Sequence, residues 1–262
     1  MRVVEAAFAV VLFVSTAASA EEPRGTLRGL LDTPGRQGLV AFFDEAAGPP
    51  PRPERYFRVP DFTVASDREG RFTASLPPGR YFVAAIVRKG GDPIRLGPPL
   101  EGDRDYQLVG QDDTLTIVTV TPGATHDLGT LTHSFLYGRP LVEGATLIEG
   151  RVIGPDGNPV AGVHVVAYRA PRFNGRPHFS SYVTGADGRY ELRVHPGGAF
   201  FLRARSRWEG GAPEVGEKIG VLGGAAPETV RVQTGHTSSG RDIRVLPFAG
   251  RGPSTDRKGA TP

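Results

Sequence analysis

The chain contains no cysteine. That excludes a disulfide framework, a lipid-modified cysteine anchor, attached c-type haem and every thiolate metal site. The fold must therefore hold by core burial alone, which about 240 residues in two units can supply. Beyond the first twenty residues no apolar run is long enough to cross a membrane, since a span needs about 20 residues. There is no G-x-S-x-G elbow and no phosphate-binding loop motif. The six histidines, His126, His133, His164, His178, His195 and His236, form no H-x-x-x-H or H-x-H pair. Ligands for zinc or acid–base work need convergence at definite spacing, so each reads as a surface or turn histidine. A strong excess of one charge is missing too. The net charge of +3 mixes 31 basic with 28 acidic residues, which is not a nucleic-acid footprint.

The chain is rich in turn formers. Its 36 glycines and 24 prolines are scattered as punctuation between short apolar stretches, the pattern of an all-β fold. The first twenty residues, MRVVEAAFAVVLFVSTAASA, have a basic start at Arg2, an apolar run over 6–18 and a small-residue Ala18-Ser19-Ala20 before Glu21. This reads as a cleavable signal peptide, and export to the periplasm or beyond follows from it.

One phrase occurs twice. Residues 70–83 read GRFTASLPPGRYFV and residues 188–201 read GRYELRVHPGGAFF, a separation of 188 − 70 = 118. Such an echo marks an internal repeat. In each copy apolar residues alternate, Phe72, Ala74 and Leu76 against Tyr190, Leu192 and Val194. Period two means one buried and one solvated face. A Pro-Gly turn follows at Pro78-Gly79 and Pro196-Gly197, and a second strand returns through Tyr81, Val83 and Ala85 or Phe200, Leu202 and Ala204. The second copy opens on a hairpin around Pro155-Asp156-Gly157-Asn158-Pro159, and the first on a more worn one at Pro34-Gly35. The expected units are residues 24–131 and 146–248, joined by a link at 132–145 and followed by a flexible tail at 249–262. The proline-rich AGPPPRPER at 47–55 is either a docking peptide or a stiff surface loop.

The second copy resembles the carboxypeptidase regulatory-like domain, a small transthyretin-like β-sandwich. The residues that carry the likeness are Gly150-Arg151-Val152, the run from Asp156 to Val163, the run from Thr184 to Tyr190, and Pro196-Gly197. The first copy looks like a diverged relative. The resemblance implies two tandem transthyretin-like sandwiches, and no activity of its own, because such modules are appended to many unrelated exported proteins. Nothing matches the zinc ligands or catalytic glutamate of the peptidase. Residues 81–108 are also similar to a segment of exported bacterial proteins that accompany multihaem cytochromes, which implies a cytochrome-type partner. With no Cys-x-x-Cys-His, the chain has no attachment site for c-type haem, so a redox link would be by partnership. Adhesin-type Lys–Asn crosslinks need a lysine and an asparagine on facing strands. Lys89, Lys218 and Lys258 with Asn158 and Asn174 do not supply them.

Two clusters stand out. Arg203, Arg205 and Arg207 alternate on one strand, so they share a face, able to meet an anionic surface or simply to be a solvated sheet face. Glu101, Asp103, Asp105, Asp112 and Asp113 crowd a second region, which reads as a solvated hairpin rather than a calcium loop. By the same parity Trp208, the only tryptophan, falls inward with Phe200, Leu202 and Ala204. Tyr168 and Tyr182, with Phe173 and Phe179, are the aromatics available for a sugar platform. No catalytic, cofactor or metal set emerges. The expectation is a non-enzymatic exported scaffold or protein-interaction module of the bacterial envelope, accessory to a larger secreted or electron-transfer assembly. Its ligand surface would comprise Arg203, Arg205, Arg207, Tyr168 and Tyr182. The alternative is a carbohydrate-binding module with a starch-binding-like fold.

Overall fold

A computed structural model describes residues 23–250, apart from 34, 139–141, 174 and 209–210. The expected signal peptide, and the expected tail beyond residue 250, lie outside the described residues. Alternating side chains and glycine turns leave almost nothing but strands. The first nine are β1 Gly25–Leu31, β2 Leu39–Asp44, β3 Phe62–Ala65, β4 Arg71–Leu76, β5 Gly79–Val87, β6 Arg104–Gln107, β7 Ile117–Val120, β8 Thr125–Leu131 and β9 Ser134–Leu136. They form a small sheet, β4-β1-β8, packed on a large one, β3-β2-β5-β6-β9, to which β7 adds beside β5.

The second set repeats the first. It comprises β10 Thr146–Ile153, β11 His164–Tyr168, β12 Phe179–Ser180, β13 Arg189–Val194, β14 Gly198–Arg205, β15 Lys218–Val221, β16 Thr229–Val232, β17 Thr237–Ser238, β18 Ile243–Arg244 and β19 Leu246–Pro247. Here β13-β10-β17, with β18, packs on β12-β11-β14-β15-β19, with β16 beside β14. Even the parallel pairings recur, β1 with β8 and β10 with β17 and β18. The chain is all-β, built as two sandwiches with the same strand order. The described residues include no helix long and apolar enough to cross a membrane.

The echoed glycines explain why the phrase is written twice. Gly70 and Gly188 have φ of +84° and +67°, a region costly for side chains with a Cβ. Each offers its carbonyl to the preceding hairpin, to Leu31 N–H and Val152 N–H respectively. A Cβ there would lie 2.2 Å from the Leu31 carbonyl oxygen or 2.6 Å from that of Val152. The strands after them bury alternate residues as expected. Phe72, Ala74 and Leu76 join Leu27, Phe42 and Val83 in the first core. Tyr190, Leu192 and Val194 join Ile148, Phe200 and Leu202 in the second.

Alternation fails in three strands, and there it is informative. β2, β5 and β11 are buried on both faces over Leu39–Phe43, Tyr81–Val87 and His164–Tyr168. On β2 and β5 the outer face forms a second small cluster, Ala41, Phe43, Phe82 and Ala84, with Leu115 and Ile117 packed on it, and on β11 His164 lies against Trp208 and Tyr168 against Phe173. The stretch expected as a link carries β9, which pairs with β6.

The sandwiches are joined by the segment that contains the proline-rich run. Arg58 donates to the carbonyls of Gly48 and Pro49 and pairs with Asp61 at 2.8 Å, which folds the loop back on itself. The next residues then cross over. Val59 N–H donates to His178 and Ser180 N–H to Phe57, so residues 57–59 extend the edge of β12. Tyr56 is buried within the second core. Its ring stacks on His195 and meets Phe179 edge-on, and its hydroxyl donates to the Pro50 carbonyl at 2.7 Å. Burial pushes the phenol up to about 12, outweighing the nearby arginines. The run AGPPPRPER is a loop held against its own chain, with Pro51 buried and the Glu54 carbonyl accepting from Arg193.

Candidate functional site between the sandwiches

A cleft of about 850 Å³ lies between the two large sheets. One wall is the outer face of the first sandwich. There Leu39 pairs with Ile86 and Ala41 with Ala84 across β2 and β5, giving an apolar floor. β6 continues this face with Asp105 beside Ile86. The opposite wall is the outer face of β11 and β14. Cross-strand pairing sets Val166 opposite Arg203 and His164 opposite Arg205, with Tyr168 further along the same face.

The structure thus gathers Arg203, Arg205, Arg207 and Tyr168 into one cleft. Arg205 and Tyr168 are buried and Arg203 is half-buried, whereas Arg207 is exposed. Tyr182 is not among the lining residues. Its hydroxyl donates to that of Tyr137 at 2.6 Å, and Tyr137 in turn donates to the Pro53 carbonyl, another clasp between the sandwiches.

The three arginines have different surroundings. Arg205 is held by two hydrogen bonds to Glu217, at 2.6 and 2.8 Å, with both side chains buried. Burial alone would raise the Glu217 carboxyl. The hydrogen bonds and charge of Arg205 outweigh it and hold the group below the ordinary carboxylate range. Arg207 pairs with Glu214. Arg203 reaches the Phe173 carbonyl at 3.4 Å and the Tyr168 hydroxyl, and no carboxylate among the described residues pairs with it.

Several expectations need correction. Trp208 does not join the core of Phe200, Leu202 and Ala204. β14 ends at Arg205, and beyond it alternation no longer dictates the side. The indole instead stacks on His164, with ring centroids 3.8 Å apart and planes 7° from parallel, on the cleft side. His164 is correspondingly buried rather than a surface residue. Nor do the aromatics make a flat sugar platform. Phe179 is a core residue, and Tyr168 is buried with Phe173 edge-on at 88°.

The acidic cluster is dispersed by the fold. Asp103 is buried and paired with Arg88 at 2.8 Å. Arg88 also donates to the carbonyls of Arg95, Gly97 and Pro98, so it shapes the loop between β5 and β6. That loop brings Gly97 against the Trp208 ring. Asp112 turns back to Thr114 at the surface. Asp105 is the unexpected member, being only 3% exposed, and its Oδ1 has no hydrogen-bond partner. Desolvation pushes its carboxyl well above the usual range, with Gln107 opposing as a hydrogen-bond partner. Among the described residues no three His, Asp or Glu side chains gather as a metal site.

No family model matches the chain, and no curated protein matches it. Among solved structures it is similar to the TIE protein of Bacillus anthracis, at 14% identity over 86% of this chain and 34% of that one, with a TM-score of 0.25. It is similar to GBS52, the minor pilin of Streptococcus agalactiae, at 12% identity over 87% of this chain and 99% of that one, with a TM-score of 0.24. The shaft pilin SpaA of Lactobacillus rhamnosus GG aligns at 11% identity over 87% and 100%, with a TM-score of 0.25. The chain spans about a third of the TIE protein and the full length of the two pilins. Likenesses this loose carry no argument about activity or partners.

Proposed function

We propose that the chain is an exported, non-enzymatic binding module: an envelope scaffold of two sandwiches whose binding site is the cleft between them. The carrying observation is the cleft itself. Two sheet faces, one apolar and one bearing arginines and aromatics, stand opposed across a volume in the range of small-molecule sites, about 300–1,000 Å³. The crossing segment at 56–59 supports the reading, since it holds the two walls in register. In this proposal the units run over 24–131 and 146–248, the second being of the carboxypeptidase regulatory-like kind. The signal peptide at 1–20 delivers the module to the envelope, where it serves a secreted or cytochrome-type assembly. The segment 81–108, which carries the cytochrome-linked resemblance, supplies Ala84, Ile86 and Asp105 to the cleft.

The test uses the neutral fluorescent probe N-phenyl-1-naphthylamine and the full chain. Saturable binding at one site per chain is expected, with energy transfer from Trp208 and loss of binding in Ala84→Trp, which fills the floor. Absence of saturable binding, or binding that Ala84→Trp leaves intact, sinks the reading.

A further inference from the structure

The charges around the cleft do not cancel. Arg58 and Arg176 both face Asp61, at 2.8 and 3.7 Å. Arg52 lies 3.9 Å from Glu54. Arg205 has Glu217 and Arg207 has Glu214. Arg203 is the lining arginine left without a carboxylate among the described residues, and it is partly buried. A guanidinium in such a place is stabilised by a bidentate anion, whose planar oxygens match its fork. Across the cleft lies the apolar face of β2 and β5, where Leu39, Ala41, Ala84 and Ile86 line the opening and Leu115 and Ile117 pack on part of the same face.

Resting on the binding-cleft reading, we propose that the cleft takes a single-headed organic anion, a carboxylate on an extended apolar body. The head lies on Arg203 and the body runs along Leu39, Ala41, Ala84 and Ile86. Asp105 lies on that apolar wall with one buried, unpartnered oxygen. Desolvation raises this carboxyl, which disfavours its charged form on that wall. A cationic ligand would face Arg203, while the acids at the cleft, Asp61, Glu214 and Glu217, are already paired with Arg58, Arg207 and Arg205.

The experiment displaces bound N-phenyl-1-naphthylamine from the full chain with three twelve-carbon competitors: dodecanoate, dodecanol and dodecyltrimethylammonium. Dodecanoate is expected to displace the probe at least about tenfold more tightly than the alcohol, the scale of one charge-assisted hydrogen-bonded pair. The ammonium compound is expected to be weakest. Arg203→Gln should weaken dodecanoate about tenfold more than it weakens dodecanol, with Arg203→Lys intermediate. Equal binding of all three competitors, or preference for the ammonium, overturns the proposal. So does an Arg203→Gln protein that keeps full dodecanoate affinity. The wild-type comparison needs no substitution and decides the matter even where a variant fails to fold. Failure of the probe to bind would strike the cleft reading instead, so the two failures are distinct.

Discussion

The phenol ring of Tyr56 lies flat on the imidazole of His195, with centroids 5.1 Å apart and planes 7° from parallel. The two residues belong to different sandwiches. This contact converts two similar folds on one chain into one body with a shaped interval between them. Removing it should therefore affect cooperativity as well as stability.

Tyr56→Ala empties a large aromatic site in the second core, a change that costs about 3–5 kcal/mol. Calorimetry should show the single unfolding transition splitting in two, with the second sandwich melting earlier. Tyr56→Phe keeps the ring and loses only the bond to Pro50, for about 1 kcal/mol. An alanine variant that melts once, at the wild-type temperature, would contradict this role.

Glu217→Gln removes the charge of the carboxylate that accepts two hydrogen bonds from the buried Arg205 guanidinium. Breaking a buried pair on one side costs about 3–5 kcal/mol, read from urea unfolding. The wild-type dependence on pH follows from the lowered Glu217 value. The pair's contribution is fully present above the unfolded carboxylate value, about 4.3, and is lost as pH falls through the lower folded value. Urea curves for wild type and Glu217→Gln should converge toward that acid limit. Parallel curves at all pH would remove the ionic explanation.

Asp105 acts with the opposite sign. Its folded value is raised, so between the unfolded value near 3.9 and the folded one the native state holds a proton that the unfolded state has released. Stability should fall through that window by about 1.4 kcal/mol per pH unit from this group alone. Asp105→Asn, neutral at every pH, should be more stable than wild type at pH 7, with the gap closing as pH drops to 4. A gap that stays constant with pH would show that the carboxyl is ionised normally in the fold.

Gly97 has φ of +104°, and a Cβ there would sit 2.6 Å from the Trp208 ring. Gly97→Ala should cost about 1–3 kcal/mol through strain and displacement of the indole. Because Trp208 is the only tryptophan, its emission should shift to the red as the ring leaves His164 for water. Unchanged emission in a folded variant would mean the indole is not seated on this glycine.

The residues that align the two sandwiches are not the ones that carry the repeat. Gly70 and Gly188, and the alternation after them, are legible because turn geometry and strand pleat are local: a glycine at positive φ and a period of two act within a few residues. In LVAFF, YFVAAIV and HVVAY the strand is legible but its second face is not: alternation through Tyr81, Val83 and Ala85 implies a solvated side, and the structure buries both. The runs say nothing about what does the covering. The shared face of Arg203 and Arg205 is likewise a matter of parity, whereas its enclosure depends on where the first sandwich lands.

That landing is set by contacts far apart in the chain, such as the Arg193 guanidinium donating to the Glu54 carbonyl 139 residues away. Asp105 shows the difference most plainly. In sequence it is one acid among five near a hairpin. Folded, it is separated from Asp103, dehydrated, and turned to the cleft. The amino-acid sequence by itself determined the strands, their turns, their inward faces and their duplication, because steric and pleat effects are short-ranged. Only the tertiary structure decided which outward faces are buried, that the proline-rich segment packs on its own chain, and that arginines and the buried Asp105 carboxyl line one cleft. Those outcomes depend on the placement of whole sheets, which no local pattern encodes.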